Sequence, residues 1–169
     1  MIIKELHKCI KENKFDFINI GTTTSTMDES KLRIDLTNNN LIVLAKKQTK
    51  GRGRRGNNWI SPPGNIYCSI AFKNNFFLFK YFKINMLACV AIKKSLEHIG
   101  AKKIFFKWPN DILCDSKKIA GIIQELVTNK MNNKCSIIGV GINFKSSPNI
   151  QKYKTTHITK HVTKISINQ

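Results

Sequence analysis

Apolar residues recur at helical spacing in two parts of the chain. The clearer series predicts a helix that packs on the core, because its members lie three or four positions apart. They are Ile84, Leu87, Ala88, Ala91, Ile92, Leu96 and Ile99. Gly100 then stands where helices commonly end in a left-handed residue. Residues 1–13 show the same spacing more briefly, which predicts a short amphipathic helix.

Most other apolar residues alternate with polar ones or form short runs, as β-strands do. The patterns predict strands at residues 15–20, 41–45, 66–72 and 136–144. Residues 115–118 are typical of a hairpin turn that leads into the apolar run 119–126. From Lys145 onward no period emerges, and no element is predicted there.

The apolar segment 104–113 is interrupted by the polar sequence KWPND. Pro109 disfavours a helical Trp108 and cannot donate to a central ladder, so the strand should break or turn here. Such a turn would project Lys107, Asn110 or Asp111 away from the regular sheet.

A glycine-arginine loop, residues 51–56 (GRGRRG), follows the second predicted strand. It holds three of the four arginines of the chain, and its glycines allow the backbone to approach a ligand. Arginine grips an oxyanion with two parallel hydrogen bonds, and successive amides form a nest for an anion. A flexible solvated loop is the alternative, but Trp59 and a rigid Ser-Pro-Pro-Gly turn follow at once. The strand-flanked setting and the missing G-x-x-x-x-G-K-[ST] exclude a Walker-type loop.

Composition adds a strong positive charge to this picture. Lys and Arg number 29 against 10 Asp and Glu, for a net charge of +19, which attracts nucleic acid, acidic protein surfaces and nucleotide phosphates. No acidic residue occurs between Asp35 and Glu97. The glycine-arginine loop therefore lies within an acid-free span of sequence, as a phosphate site requires.

Other features indicate a single cytoplasmic domain. The five cysteines are odd in number and contain no C-x-x-C, which favours reduced thiols over a zinc site or disulfides. No signal peptide is evident, and the aromatic run 76–82 is too short to span a bilayer. We assign no metal ligands.

The hydroxyl-rich turn at residues 21–26 has two compatible interpretations. Ser25 or Thr26 would cap the next helix, with Asp28 and Glu29 favourably placed in its first turn. The same turn would also bind a ligand, since different residues serve each purpose.

Taken together, several ordered motifs resemble the catalytic domain of the biotin protein ligases over roughly residues 15–145. They are Ser25-Thr26-Met27-Asp28, Gln48 with GRGRRG, Trp59, SPPGNIY, KWPND followed by KKIAGII, and IIGVGINF. The resemblance implies an α/β (α+β) fold, a mixed, largely antiparallel sheet flanked by helices, akin to class II tRNA synthetases. Residues 1–169 would be one catalytic domain, lacking the N-terminal DNA-binding domain and the C-terminal small domain of other members.

The resemblance also implies the substrates biotin and ATP with Mg2+, the product biotinyl-5′-AMP, and a biotin carboxyl carrier domain as protein partner. Biotin would be bound by Ser25, Thr26, Met27, Gln48, Arg52, Gly53, Arg54 and Lys107. Among these, Lys107, Arg52 and Arg54 would be catalytic, and Lys107 would approach the biotin carboxylate and the α-phosphate. ATP would contact Arg55, Trp59, Lys118 and Asn143. Asp111 would hold the KWPND turn through backbone amides.

Three alternatives remain at this point. They are a basic nucleic-acid-binding module, a lipoate-type ligase, and a degenerate paralogue that binds biotin without transferring it. The expected partners exclude specific DNA and membranes, and the oligomeric state stays open.

Overall fold

The computed structural model describes residues 8–73 and 81–162. The elements in chain order are β1 (Phe15–Thr23), α1 (Thr26–Arg33), β2 (Asn40–Gln48), β3 (Ile66–Phe72), α2 (Tyr81–His98), β4 (Ile104–Lys107), β5 (Asp111–Cys114), β6 (Lys117–Thr128) and β7 (Lys134–Ile142). Residues 8–12 are helical, in agreement with the prediction for residues 1–13. Residues 1–7 of that prediction lie outside the described residues.

The seven strands form one sheet in the order β1-β2-β3-β7-β6-β5-β4. Only β1 and β2 pair in parallel, whereas the other pairs are antiparallel. The predicted fold class, a largely antiparallel sheet flanked by helices, is confirmed. Strand β7 pairs with both β3 and β6 and so joins the two halves of the sheet.

The sheet buries a core on each face. On one face α2 packs through Ile84 and Leu96 on Ile112, Ile119 and Ile122 of β5 and β6. The opposite face packs on α1 through Met27, with Ile34, Leu41, Val43, Ala71 and Ile137. In β7 the two faces differ, because Ile138 lies in the first cluster whereas Gly139 faces Met27.

Helix α2 ends as predicted but buries a narrower face than its period suggests. Gly100 has a φ of +96°, its N–H donates to the Glu97 carbonyl at 2.9 Å, and the Ala101 N–H donates to the Leu96 carbonyl at 3.0 Å. Leu87 and Ala91, predicted in the core, are exposed. The helix packs on β4, β5 and β6, and the outer edge of its apolar stripe remains exposed.

The predicted hairpin between β5 and β6 is confirmed. Asp115 and Ser116 have φ values of 49° and 62°, the pair of positive values that two-residue hairpins adopt in type I′ turns.

All five cysteines are unpaired, and burial raises the pKa of Cys68 to about 12. Among the described helices, none has the length and apolar character needed to cross a membrane.

Candidate active site

The glycine-arginine loop is an ordered hairpin of its own. The Gly53 N–H donates to the Asn57 carbonyl at 2.7 Å, and the Trp59 N–H donates to the Gly51 carbonyl at 2.8 Å. Arg55 adopts a left-handed φ of 55° and Gly56 one of 76°. Gly51 allows close packing, because a methyl group there would lie 2.4 Å from the Trp59 carbonyl oxygen. The loop thus has a defined shape that carries its arginines.

Glycines on one face of the sheet make room for Trp59. Gly121 of β6 and Gly141 of β7 are directly paired. A methyl group on Gly141 would lie 2.5 Å from the Trp59 ring, and one on Gly121 would lie 2.9 Å from it. The indole therefore lies flat on bare backbone, on the sheet face that also carries Gly139. This explains why the predicted strand 136–144 has glycines at alternate positions.

The KWPND segment forms the tight turn between β4 and β5 and contacts the loop. Asn110 accepts a hydrogen bond from Arg54 Nη1 at 3.1 Å and donates to the Ile122 carbonyl at 2.9 Å. Asn85 of α2 donates to the Pro109 carbonyl at 3.0 Å. The predicted break at Pro109 is confirmed, and it brings Asn110 to the glycine-arginine loop.

A β-bulge directs Lys118 to the same sheet face as Trp59. Ile112 pairs with Ala120 and Leu113 with Lys118, so Ile119 has no partner on β5. Such a bulge re-aims the neighbouring side chain. The Lys118 ammonium lies 5.3 Å from the centre of the Trp59 ring. Its side chain is only 14% exposed, and Nζ pairs with Asp111 at 2.8 Å. Asp111 therefore binds Lys118 rather than backbone amides as expected from the sequence.

The unassigned segment after Lys145 completes the surroundings of Lys118. The Lys118 N–H donates to the Lys154 carbonyl, and the Lys118 carbonyl accepts from the Thr156 N–H, each at 2.9 Å. The Tyr153 ring lies 5.1 Å from Nζ. Burial, and next the charge of Asp111, raise the pKa of the Tyr153 phenol, so it stays neutral. Sequence reasoning missed Tyr153, although an aromatic residue in a polar segment was a signal.

The turn before α1 supplies a polar wall. The Gln48 side-chain oxygen accepts from the Thr26 N–H at 2.8 Å and from its hydroxyl at 3.2 Å. The Gln48 amide donates to Ser61 Oγ at 2.9 Å. Ser25 is the N-cap, since its hydroxyl accepts from the Met27 N–H at 3.2 Å. Capping by Ser25, one of the two predicted uses of this turn, is confirmed.

Ser25→Ala is expected to lower the free energy of unfolding by about 1 kcal/mol, the usual effect of losing an N-cap side chain. Ser25→Gly should lower it by only a few tenths of a kcal/mol, roughly, because glycine is tolerated at this position. Urea denaturation of the wild type and both variants measures the difference. Equal stability of Ser25→Ala and wild type would contradict the capping role.

These parts enclose a cavity with two adjoining lobes of about 1320 and 710 Å3. The smaller lobe is lined by most residues that the sequence predicts for binding: Ser25, Thr26, Met27, Gln48, Arg52, Gly53, Arg54, Arg55, Trp59 and Lys118. The larger lobe shares Gln48 and the loop with it. Residues distant in sequence are thus brought together.

Two predicted site residues do not lie in this cavity. Lys107 faces Asp111 across the β4–β5 pair, but its side chain is exposed and lines neither lobe, because β4 is the last strand of the sheet. Its catalytic role stays a prediction. Asn143 is 2% exposed, and its amide donates to the Thr156 carbonyl at 3.1 Å. It joins the end of β7 to the segment that holds Lys118.

The cavity also contains acidic residues. Asp28 and Glu125 line the larger lobe, and Asp111 lines the smaller one. The sequence around the glycine-arginine loop contains no acidic residue, but the fold brings these three acidic side chains close to the loop. Within the described ranges, no group of three or more His, Cys, Asp or Glu side chains is placed to hold a metal.

Comparison with known proteins identifies the family. The sequence model of the biotin/lipoate A/B protein ligase family matches residues 17–143, which is most of the chain. This chain is a member of the biotin/lipoate A/B protein ligase family. The matched range agrees with the extent of the resemblance seen in the sequence.

Individual relatives are ligases. This chain is 38% identical over 120 residues to the bifunctional ligase/repressor BirA of Bacillus subtilis. The match covers 68% of this chain and 37% of that protein. It is 31% identical over 108 residues to the biotin–[acetyl-CoA-carboxylase] ligase of Paracoccus denitrificans, covering 63% and 45%. The chain therefore spans less than half the length of either relative.

Solved structures of biotin protein ligases have a fold similar to that of this chain. The biotin protein ligase of Leishmania major in complex with biotinyl-5-AMP superposes with a TM-score of 0.70 at 29% identity, covering 87% of this chain and 64% of that one. The Aquifex aeolicus biotin protein ligase in complex with biotin and ATP gives 0.69 at 27% identity, covering 86% and 60%. The resemblance to the catalytic domain of the biotin protein ligases is confirmed.

Proposed function

We propose that this protein is an ATP-dependent ligase that joins biotin to a lysine of a biotin carboxyl carrier domain. In the first step the biotin carboxylate attacks the α-phosphate of ATP, which gives biotinyl-5′-AMP and releases pyrophosphate. In the second step the carrier lysine attacks the acyl carbon and AMP leaves. Mg2+ would enter with the ATP phosphates.

The observation that carries this proposal is the Lys118 ammonium in the wall of a cavity that also holds the arginine loop. The first step brings two anions together, and positive groups fixed beforehand offset their repulsion. Lys118 is fixed by Asp111, by two aromatic rings and by two backbone hydrogen bonds. Arg52 and Arg54 line the same lobe. We assign to Lys118 the contact with the carboxylate and α-phosphate that the resemblance had given to Lys107.

The neutral part of biotin would occupy the wall formed by Ser25, Thr26, Met27 and Gln48. Trp59, lying on the glycines of β6 and β7, supplies an apolar surface next to this wall. Arg55 would lie nearest the ATP phosphates, which we infer from its place in the loop. Asn143 supports the site from behind by holding the segment that carries Tyr153 and Thr156.

Biotin-dependent exchange of pyrophosphate into ATP tests the proposal, because it reports adenylation without the carrier. Exchange with biotin and none with lipoate is expected. Exchange with lipoate alone would show a lipoate-type ligase, whose family this chain shares. Biotin binding without exchange would show a degenerate paralogue. Transfer of biotin to a purified carrier domain then tests the second step.

Any binding to DNA is expected to be independent of sequence and to collapse with salt. The net charge of +19 attracts any polyanion, but phosphate contacts carry no sequence information. Affinity for a random duplex should fall steeply between low and physiological salt, as counterion release requires. A sequence-specific footprint that survives physiological salt would contradict this expectation.

A further inference from the structure

Arg52 is held between two carboxylates from different elements. Its Nη2 lies 2.9 Å from Asp28 Oδ1 in the first turn of α1, and its Nη1 lies 3.1 Å from Glu125 Oε1 on β6. The other oxygen of Glu125 lies 2.6 Å from Lys31 Nζ of α1. The chain has only ten acidic residues, and two of them meet at this one guanidinium. The resulting ion-pair cluster ties the glycine-arginine loop to α1 and β6.

Two nitrogen atoms of the same guanidinium lack a hydrogen-bond acceptor in the part of the chain that the structure describes. Arg52 Nε and Nη2 are buried, and neither has a hydrogen-bond acceptor among the described residues. The contact of Nη2 with Asp28 is thus an ion pair that lacks hydrogen-bond geometry. Buried N–H groups without acceptors are rare because leaving them unpaired is costly. Arg52 lines both lobes of the cavity and its side chain is 32% exposed, so the exposed part of the guanidinium is available to an anion bound there.

We propose that Asp28 and Glu125 are positioning residues that hold Arg52 in the cavity wall, so that the exposed part of its guanidinium meets the anionic part of the substrate. This inference rests on the proposed function for the identity of that anion. Carboxylates beside an anion site would by charge alone weaken its binding. Positioning would instead strengthen binding of the anion, because an arginine that is fixed beforehand loses less conformational freedom on binding.

The two roles predict opposite effects of Asp28→Asn combined with Glu125→Gln. If the carboxylates position Arg52, kcat/KM for biotin in pyrophosphate exchange falls by roughly three- to tenfold, a loss within the range that two partly exposed ion pairs support. If they act only through charge, the value rises or stays constant, which would overturn the proposal. Glu97→Gln is the matched control, since it removes an exposed ion pair with Lys93 on α2.

A double-mutant cycle separates action through Arg52 from a general loss of structure. Asp28→Asn with Glu125→Gln should have little further effect in an Arg52→Ala background. Full additivity of the losses would overturn the proposal. Thermal unfolding of each variant shows whether the chain remains folded.

Nuclear magnetic resonance of the arginine side chains tests the positioning without any ligand. The chain has four arginines, and Arg52→Lys identifies the Nε–H signal of Arg52. The exchange of this Nε–H proton with solvent should become roughly three- to tenfold faster in the variant that combines Asp28→Asn with Glu125→Gln. Arg33 is an internal reference, because its Nε donates to Glu29 at 3.0 Å. An unchanged Arg52 signal contradicts the inference. A different result would contradict the proposed function instead. In that case the Arg52 signal exchanges faster in the double variant, but the wild-type protein shows no biotin-dependent pyrophosphate exchange.

Discussion

Lys118→Ala is expected to lower biotin-dependent pyrophosphate exchange by roughly tenfold to a hundredfold. A hydrogen bond to a charged group contributes about 1.5–3 kcal/mol, and each 1.4 kcal/mol, roughly, is a factor of ten in rate. The Lys118 ammonium is mostly buried and lies in the cavity wall, so solvent does not replace it. If the contact is strongest in the transition state, kcat falls more than biotin affinity.

Two matched variants define the meaning of that result. Lys107→Ala removes the lysine that the sequence resemblance favours, but its side chain is exposed and outside both lobes, so exchange should change little. Lys130→Ala, in the connection before β7, is the neutral reference. Wild-type exchange in Lys118→Ala together with a strong loss in Lys107→Ala would return the role to Lys107.

Gly51→Ala is expected to destabilise the protein by about 1–3 kcal/mol, the usual range for overpacking, and to impair adenylation. The added methyl group would lie 2.4 Å from the Trp59 carbonyl oxygen and 2.5 Å from Ser61 Oγ. Backbone must therefore shift, and with it the Trp59 ring and the loop that carries Arg52. Urea denaturation and pyrophosphate exchange measure the two effects.

Gly21→Ala is the control, because a methyl group on Gly21 meets no heavy atom within 4 Å. It should leave both measurements close to wild type. If Gly51→Ala were as stable and active as Gly21→Ala, the tight packing of the loop on Trp59 would be refuted.

The sequence predicts the strands, the main helix and most of the cavity wall, because each depends on local patterns. Alternation identifies β3, a short apolar run identifies β7, and the glycine-arginine loop is recognisable from residue types alone. The place of Lys118 depends instead on one extra residue, Ile119, in the pairing of β6 with β5. A bulge is a property of two strands together, so no pattern within 117–128 indicates which lysine faces the site.

The acidic neighbours of Arg52 were hidden for a similar reason. Asp28 and Glu125 lie 24 positions before and 73 positions after this arginine in the chain. The packing of α1 on β7 and the pairing of β7 with β6 bring them together. Likewise the segment with Tyr153 has no period of its own, because it is shaped by hydrogen bonds to Lys118 and Asn143.

The position of β7 has a consequence for how the protein is made. Of the strands in the described residues, the one synthesised last pairs with both β3 and β6. A ribosome-bound chain that ends before Lys134 carries two separate groups of strands without the strand that joins them. Gln48 and the arginines belong to the first group, and Lys118 to the second. The nascent chain therefore cannot form the cavity before β7 emerges, and its two groups of strands expose unpaired edges meanwhile.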